Sequence, residues 1–494
     1  MLAKALAAGM IVIVCAGTAV AGAAWYQFDK VVNPPLPPGA TPAPTVSVQP
    51  LPIPKPGGPR TLLVLGSDHR SKKSIDAKLG QKPLSDTIVL VRLDPKRKRV
   101  AVLSLPRDLA VSIPGVGDGI KINEAYTDGG PQKTLETVKH LFQSATGTDF
   151  PVNSVIDVDF NGFRRAVDYV HGVYVDVDRH YNNPQGTGFA AIDVPAGYQR
   201  LKGQDALAYV RYRHTDSDLF RNARQQDFLR EASTQPAVRD LRRLKQAGHL
   251  VAIFRQYFRF DKRFMTRKNL AGLLKTAIYL SAGHAPVNQI KLDGITESAD
   301  PENDTRLFLS PENVARAYKE FMTGADTTNP TRKATPTRAK KPVTAARVSG
   351  LENARRLGED MAVPADRKLR FPFYFPGVRV NGSTYVTGTP RLYRILDLKN
   401  KPHQAYRIVI AAGAPGEYYG VQGMTWKNPP LLASPDRVRV QNGRRLLLFY
   451  DGTRLRQVAW KTARGVYYVT NTLDRKLSNT KMLTIAASLR RLNR

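Results

Sequence analysis

Eleven prolines crowd residues 31–59, at positions 34, 35, 37, 38, 42, 44, 50, 52, 54, 56 and 59. A run this dense cannot sit inside a helix or a central strand, because each proline lacks an amide donor and fixes its own φ. It predicts an extended, semi-rigid polyproline II tether over 31–59. A second stretch, 324–347, is rich in Thr, Lys and Arg, too polar to bury a core and therefore read as a linker. The two divide the chain into a first block over 60–323 and a second over 348–494. With 494 residues in all, each block is long enough to enclose its own core.

Ahead of the tether, residues 5–28 carry no charged side chain, with Lys4 before and Asp29 and Lys30 after. That length matches the roughly 20 residues needed to cross a bilayer, and Trp25 and Tyr26 fall where interfacial aromatic anchors belong. Residues 1–30 therefore read as a single-pass signal anchor in the cell membrane, with the bulk of the chain outside the cytoplasm. The small residues at 19–23 also fit a signal-peptide cleavage site, which exports the bulk equally.

Charge narrows the partners. Seventy-five Lys+Arg against 41 Asp+Glu leave +34, a surface that attracts nucleic acid, anionic lipid or phosphate-rich polymer. Such an excess also arises without any polyanionic ligand. Nucleic acid is the partner to exclude: an exported domain meets none, and no helix-turn-helix pattern is evident. The one cysteine, Cys15, excludes a disulfide framework and a Cys-based zinc site within one chain.

The first block alternates two periodicities. Residues 61–65, 87–93, 100–105 and 173–177 are short β-rich apolar runs bounded by turn or charged residues. Residues 131–142 and 205–209 carry helical spacing, and 220–285 reads as mostly helical. This alternation predicts an α/β domain layered α-β-α around a central mixed sheet. The second block reads as a smaller α+β domain with an antiparallel sheet. Strand-like runs at 385–386, 407–410, 438–440, 446–450, 457–460 and 466–469 are punctuated by Asn-Gly and Asp-Gly hairpin signals at 442–443 and 451–452. A terminal helix is expected over 479–492. Tyr418, Tyr419, Trp426 and Trp460 could stack on carbohydrate or fill a hairpin core, and the core is the simpler expectation.

No Gly-x-Ser-x-Gly elbow, phosphate-binding Walker loop or His-Glu-x-x-His is present. What stands out is charge at the ends of apolar runs. Asp68 and Arg70 follow the run at 61–66, and Asp86 precedes 88–93. Arg107 and Asp108 end the next run, with Lys121 and Asn123 in the following loop. Arg211 and Arg213 come later, trailed by Arg221, Arg224 and Gln225. Each alone is an ordinary solvated charge. Together they lie where α/β sheets place ligands. Planar guanidinium forks suit phosphate oxygens, and carboxylates among them suit a hard divalent cation such as Mg²⁺. The residues point to a diphosphate site with a metal.

Eight segments in order, LLVLGSDHR (62–70), SDTIVLVR (85–92), SLPRD (104–108), KINEAY (121–126), DVDFNGF (157–163), GVYVD (172–176), LKGQDALAYVRYR (201–213) and RNARQQDF (221–228), resemble the LytR-CpsA-Psr family. The resemblance covers about 61–232. It implies that Asp68 and Asp86 are the acidic pair associated with Mg²⁺, Asp86 serving as metal ligand or as the base for an attacking hydroxyl. It implies that Arg107, Arg211 and Arg213 grip a pyrophosphate as catalytic residues. Arg70, Lys121, Asn123, Arg221 and Gln225 would line the same head-group pocket, with Asp108 orienting Arg107. The implied activity is transfer of a polyprenyl-diphosphate-linked glycopolymer to a peptidoglycan hydroxyl, with hydrolysis of the diphosphate or non-catalytic lipid-glycan binding as alternatives. Apolar stretches at 135–142, 160–170 and 251–260 would then wall the polyprenyl chain or be plain core.

Overall fold

The computed structural model describes residues 42–67, 84–184, 191–212, 218–235, 255–264, 287–324 and 348–492, apart from isolated positions, with a few single residues between these ranges. The chain divides into two compact units. The first comprises residues up to Val173, then Lys202–Arg211 and Phe228–Thr327; the second comprises Tyr174–Leu201, Tyr212–Asp227 and Thr328–Arg494.

The first unit is built on a six-stranded mixed sheet. Its strands are β1 (Arg60–Ser67), β2 (Ser85–Asp94), β3 (Arg99–Leu105), β4 (Ser154–Val158), β5 (Phe258–Phe260) and β6 (Val287–Ile290). Their order is β5-β4-β1-β2-β3-β6, with β1 parallel to β4, β3 parallel to β6, and the other neighbours antiparallel. The central strands are apolar on both faces, as a fully covered sheet requires. On one face Leu63, Leu65, Ile88, Leu90, Leu103 and Leu105 pack with helices α1 (Glu124–Thr146) and, near the C-terminal end of the unit, Pro311–Thr323. On the other, Leu62, Val64, Val89, Val91, Val102 and Ile156 are equally buried. Each such side chain contributes about 1.5–3 kcal/mol on leaving water. This is the expected layered α/β architecture.

Local signals set the helix ends. Helix α1 is broken at Gly129–Gly130, the latter at φ +62°, and restarts at Pro131, where the apolar spacing predicts the helix to begin. Leu135, Val138 and Phe142 sit in the core with Phe150 and Phe321, so that stretch is core packing. Helix α2 (Phe160–Tyr169) starts on Asp159, whose carboxylate accepts from Gly162 N at 2.8 Å. Helix α3 (Gly203–Arg211) and helix α4 (Asp218–Thr234) follow. The stretch 220–285, expected to be mostly helical, contains edge strand β5: Phe258 and Phe260 are buried while Arg259 points the other way. Part of the Pro-rich stretch lies along this edge. Val46 N donates to Phe260 O, and Val46 and Leu51 join the core, two apolar residues among the prolines finding a strand with a free side.

The second unit contains a nine-stranded, largely antiparallel sheet. Its long strands are Arg391–Leu396, Pro402–Ala411, Tyr418–Met424, Arg437–Gln441, Arg444–Asp451, Arg454–Lys461 and Val466–Thr470. One face carries Tyr406, Ile408, Tyr419, Val421, Trp460 and Tyr467 against helices Arg355–Lys368 and Asn479–Ser488. The other face carries Ala405, Met424, Trp426 and Phe449 against Tyr174 and Tyr198 from the earlier segment 174–201. Arg407 is fully buried on this second face, its Nη1 3.2 Å from Asp176 Oδ2, while the Tyr468 hydroxyl donates to Asp176 Oδ1 at 2.8 Å. Burial pushes the Asp176 carboxyl up, opposed by Arg407 and by the Tyr468 hydroxyl. Gly420 packs close beside it: a Cβ there would lie 2.3 Å from Ile408 O and 3.0 Å from Arg407 Cζ. Tyr419, Trp426 and Trp460 fill the two cores.

Candidate functional site

In the first unit, β3 runs out at Leu105 and the chain turns at Pro106, so Arg107 and Asp108 leave the sheet together. Asp108 is buried and holds two cations: Arg107 Nε lies 3.3 Å from Oδ2 and Lys121 Nζ 3.4 Å from Oδ1. Lys121 also donates to Thr305 Oγ1 at 2.6 Å, and Asp108 O accepts from Leu307 N at 2.8 Å. The 305–307 segment thus fixes both ends of this ion triad. Asp108 thus holds Arg107 and Lys121 on one buried carboxylate.

Asn123 N donates to Arg107 O at 3.2 Å, and Asn123 is the residue from which helix α1 starts. Arg107 and Lys121 therefore stand where a short helical segment, residues 124–128, begins ahead of the break at Gly129. The Asn123 side chain makes no capping bond, and its Oδ1 is buried with no hydrogen-bond partner among the described residues. Three expected residues, Arg107, Lys121 and Asn123, are brought together here. The arrangement concentrates positive potential at one point, which suits an anion.

A buried network lies next along the helix. Tyr126 donates to Asp157 Oδ2 at 2.6 Å, Ser67 Oγ donates to Asp157 Oδ1 at 2.7 Å, and Arg259 pairs with the same carboxylate. Arg259 also donates to the Tyr126 hydroxyl at 2.9 Å. Burial, and then the Asp157 charge, push the Tyr126 hydroxyl well above its ordinary range, so it stays a donor. With Ser67, Tyr126 and Arg259 on it, Asp157 is a structural hub tying the ends of β1, β4 and β5 to α1.

Sequence reasoning assigned no role to these four residues. Asp157 and Tyr126 stand inside the DVDFNGF and KINEAY segments, and the three-residue Phe258-Arg259-Phe260 alternation is too short to mark the strand that turns Arg259 away from its apolar neighbours.

Arg211 closes α3 with its guanidinium 4.0 Å from the centroid of Phe160, the first residue of α2. This cation–π contact holds a planar fork in one orientation. Arg221 and Gln225 belong to the second unit, where both are buried on α4 beside Arg224. Asp68, Arg70 and Arg213 lie outside the described residues. Asp86 is described through its backbone: the β1–β2 register steps from Gly66–Thr87 to Ser67–Ser85, making Asp86 the extra residue of a β-bulge, a device that re-aims a residue at a strand end.

Among the described residues no group of three or more His, Cys, Asp or Glu could hold a metal ion. Among the same residues no helix is long and apolar enough to cross a membrane; the expected anchor over 1–30 lies outside them.

The chain is similar to several known proteins. The chain is 28% identical over 276 residues to the polyisoprenyl-teichoic acid–peptidoglycan teichoic acid transferase TagV of Bacillus subtilis, covering 55% of this chain and 66% of the relative. It is 34% identical over 200 residues to the transferase TagU of Oceanobacillus iheyensis, covering 39% of this chain and 55% of that relative. The chain thus spans less than two thirds of the length of these relatives. Among solved structures, the crystal structure of B. subtilis TagV matches at 26% identity over 55% of this chain and 99% of its own, with a TM-score of 0.41. TagT bound to LIIa-WTA matches at 25% identity over 58% of this chain and 97% of its own, with a TM-score of 0.39. The LytR_cpsA_psr family model matches residues 39–317, more than half of the sequence, and the chain belongs to the LytR-CpsA-Psr family.

Proposed function

We propose that this protein is a phosphotransferase that moves a glycopolymer from a polyprenyl diphosphate carrier to a hydroxyl of peptidoglycan. The observation that carries the reading is the convergence of Arg107, Lys121 and Asn123 at the α1 N-terminus, with both cations pinned by buried Asp108. The relatives' names, polyisoprenyl-teichoic acid–peptidoglycan teichoic acid transferases, agree with it.

In the proposed step, the acceptor hydroxyl oxygen bonds to the phosphorus bearing the sugar while that phosphorus releases its bridging oxygen. Polyprenyl phosphate leaves and the hydroxyl proton passes to a base. Phosphoryl transfer of this kind needs positioning and charge neutralisation more than a protein nucleophile. Arg107 and Arg211, with Arg70 and Arg213, would bind the diphosphate oxygens through fixed forks. Lys121 and Asn123 would complete the head-group contacts.

Asp68 and Asp86 are the proposed holders of Mg²⁺; their hard carboxylate oxygens fit that ion, and bound there it would neutralise charge on the diphosphate. The segment 1–30 is proposed to anchor the protein in the cell membrane, with the rest on the outer side, beside lipid-linked donor and wall acceptor.

The test is release of polyprenyl phosphate from a polyprenyl-diphosphate glycan by the purified protein, with Mg²⁺ and peptidoglycan. Acceptor-dependent release, lost in Arg107→Ala and Asp86→Ala, is expected. Release that is indifferent to acceptor would replace transfer by hydrolysis, and no release at all would overturn the enzyme reading.

A further inference from the structure

In the first unit, residues 92–99 carry β2 into β3, and five of these eight residues are cations against one carboxylate, Asp94. Asp94 is fully buried and holds the turn: Oδ1 accepts from Arg97 N and Oδ2 from Arg97 Nη1, both at 3.1 Å. Lys98, at φ +50°, closes it with its amide on Pro95 O at 3.3 Å. Lys96, Arg97 and Lys98 are exposed at the tip.

Behind the tip lie two buried guanidiniums. Arg92 is 7% exposed; its Nη1 donates to Thr61 Oγ1 at 3.0 Å, and its Nε, 3.9 Å from Asp94 Oδ2, has no hydrogen-bond partner among the described residues. Arg99 is 4% exposed; its Nη2 donates to Phe321 O at 2.7 Å and Glu320 O at 3.2 Å, closing the last turn of helix Pro311–Thr323. Its Nε and Nη1 have no partner among the described residues. Burial pushes both guanidiniums below their ordinary range; Asp94 opposes this at both, and Glu320 at Arg99, while Arg97 adds to it. A buried cation ordinarily has its counter-charge beside it. Here three arginines share one buried carboxylate, and two lysines stand on the exposed side, so the hairpin lacks negative charge.

The place of this hairpin in the sheet bears on what fills it. Arg99 opens β3 and Leu105 ends it, so the hairpin and the Arg107 cluster lie at opposite ends of one strand, about 20 Å apart. The Pro-rich stretch meets the sheet at the Arg107 end. Ala43 N donates to Arg255 O just ahead of β5, whose Phe258 is level with Val158 and Gly66. By Pro52, whose carbonyl accepts from Asn153 Nδ2 at 3.1 Å, it has reached the start of β4 and the Arg60 end. The tether therefore leaves from the end opposite the hairpin, which favours a ligand reaching away from the lipid surface over a lipid head group. Resting on the transferase reading and the anchor above, we propose that the 92–99 hairpin is a second grip on the donor. It would bind phosphodiester groups of the glycopolymer chain about 20 Å along from the diphosphate, through Lys96, Arg97 and Lys98 with Arg92 and Arg99 behind them.

The experiment is binding of a fluorescently labelled poly(glycerol phosphate) chain to the full protein, read by anisotropy at about 0.1 M salt. Release of polyprenyl phosphate from a donor bearing a single sugar, too short to reach the hairpin, is measured alongside. Lys96→Glu with Lys98→Glu, which leaves Asp94 its Arg97 partner, should weaken polymer binding about tenfold and flatten its salt dependence. Release from the short donor should not change. The same reversal at the exposed pair Lys399 and Lys401 of the second unit should leave polymer binding as it was. Equal loss from that control pair, or undiminished binding in the hairpin variant, would overturn the second grip. So would loss of binding to phosphatidylglycerol vesicles in the hairpin variant with polymer binding intact, which would make the site one for lipid. Polymer binding absent from the unsubstituted protein would also overturn it, with the transferase reading standing if the short donor is still turned over. No release from the short donor would overturn the transferase reading instead, and the hairpin with it as a donor site.

Discussion

Replacing Arg407 by Met tests the centre of the second unit. The guanidinium is fully buried, 3.2 Å from Asp176, and the Asp176 side chain is 15% exposed. Methionine fills much of the space but leaves the carboxylate with the Tyr468 hydroxyl as its remaining described donor. Removing one partner of a buried ion pair costs about 3–5 kcal/mol, and the residual exposure of Asp176 places the expectation near 3 kcal/mol.

The loss should depend on pH in a definite direction. Burial already pushes the Asp176 carboxyl up, and Arg407 is the largest influence opposing that; without it the carboxyl moves further up. A carboxyl raised on folding binds its proton more tightly in the folded state. Its protonation therefore favours folding below the unfolded value of about 3.9, and that contribution is lost as pH rises through the raised folded value. The Arg407→Met deficit should be smallest in acid and grow toward neutrality.

Equilibrium urea unfolding followed by tryptophan fluorescence reads this, because Trp426 and Trp460 lie in the two cores of this unit. Adding Asp176→Asn to Arg407→Met should recover much of the loss, since a neutral pair no longer buries a charge. A double variant no more stable than the single, or a deficit flat from about pH 5 to 8, would refute the reasoning.

Three other outcomes follow from the first unit. Tyr126→Phe removes one donor from buried Asp157 and should cost about 1–3 kcal/mol in urea unfolding, with Ser67 and Arg259 still in place. Gly203→Ala should destabilise by about 1–3 kcal/mol, since its Cβ would lie 2.5 Å from Arg164 O and 2.7 Å from Asp168 Oδ2; a thermal melt of the variant checks it. Ser310→Ala removes the hydroxyl that caps helix Pro311–Thr323 and should cost about 1 kcal/mol, while Ser310→Asp should be near neutral.

The parts of this fold that were legible in the sequence are those set by local rules. The runs at 61–65, 87–93 and 100–105 sit inside β1, β2 and β3, because uninterrupted apolar stretches of that length fit a doubly covered sheet. The Asn-Gly and Asp-Gly pairs mark the turns between strands Arg437–Gln441, Arg444–Asp451 and Arg454–Lys461. Strand β5 was not legible, since three residues among apolar and basic neighbours carry too short a period to separate from a helix. The terminal helix stops at Ser488, four residues early, where Arg490–Arg491 instead pairs with Tyr374–Phe375, a partner distant in sequence.

The site divides the same way. Arg107 could be picked out because it ends an apolar run, and Lys121 and Asn123 because they come in the segment that follows it. The Asp157 hub could not, because its members meet only once β1, β4 and β5 are side by side.

The docking of the Pro-rich stretch along β5 limits how far the protein can range. Backbone pairing begins at Ala43, whose amide donates to Arg255 O at 2.8 Å. With 1–30 in the bilayer as proposed, the leash is residues 31–42, at most about 40 Å long when fully extended, against about 100 Å for all of 31–59. Under that proposal the first unit would be kept within a shallow zone above the lipid surface. A donor whose diphosphate lay at the head groups would fall inside that zone, and wall strands would have to come down to it.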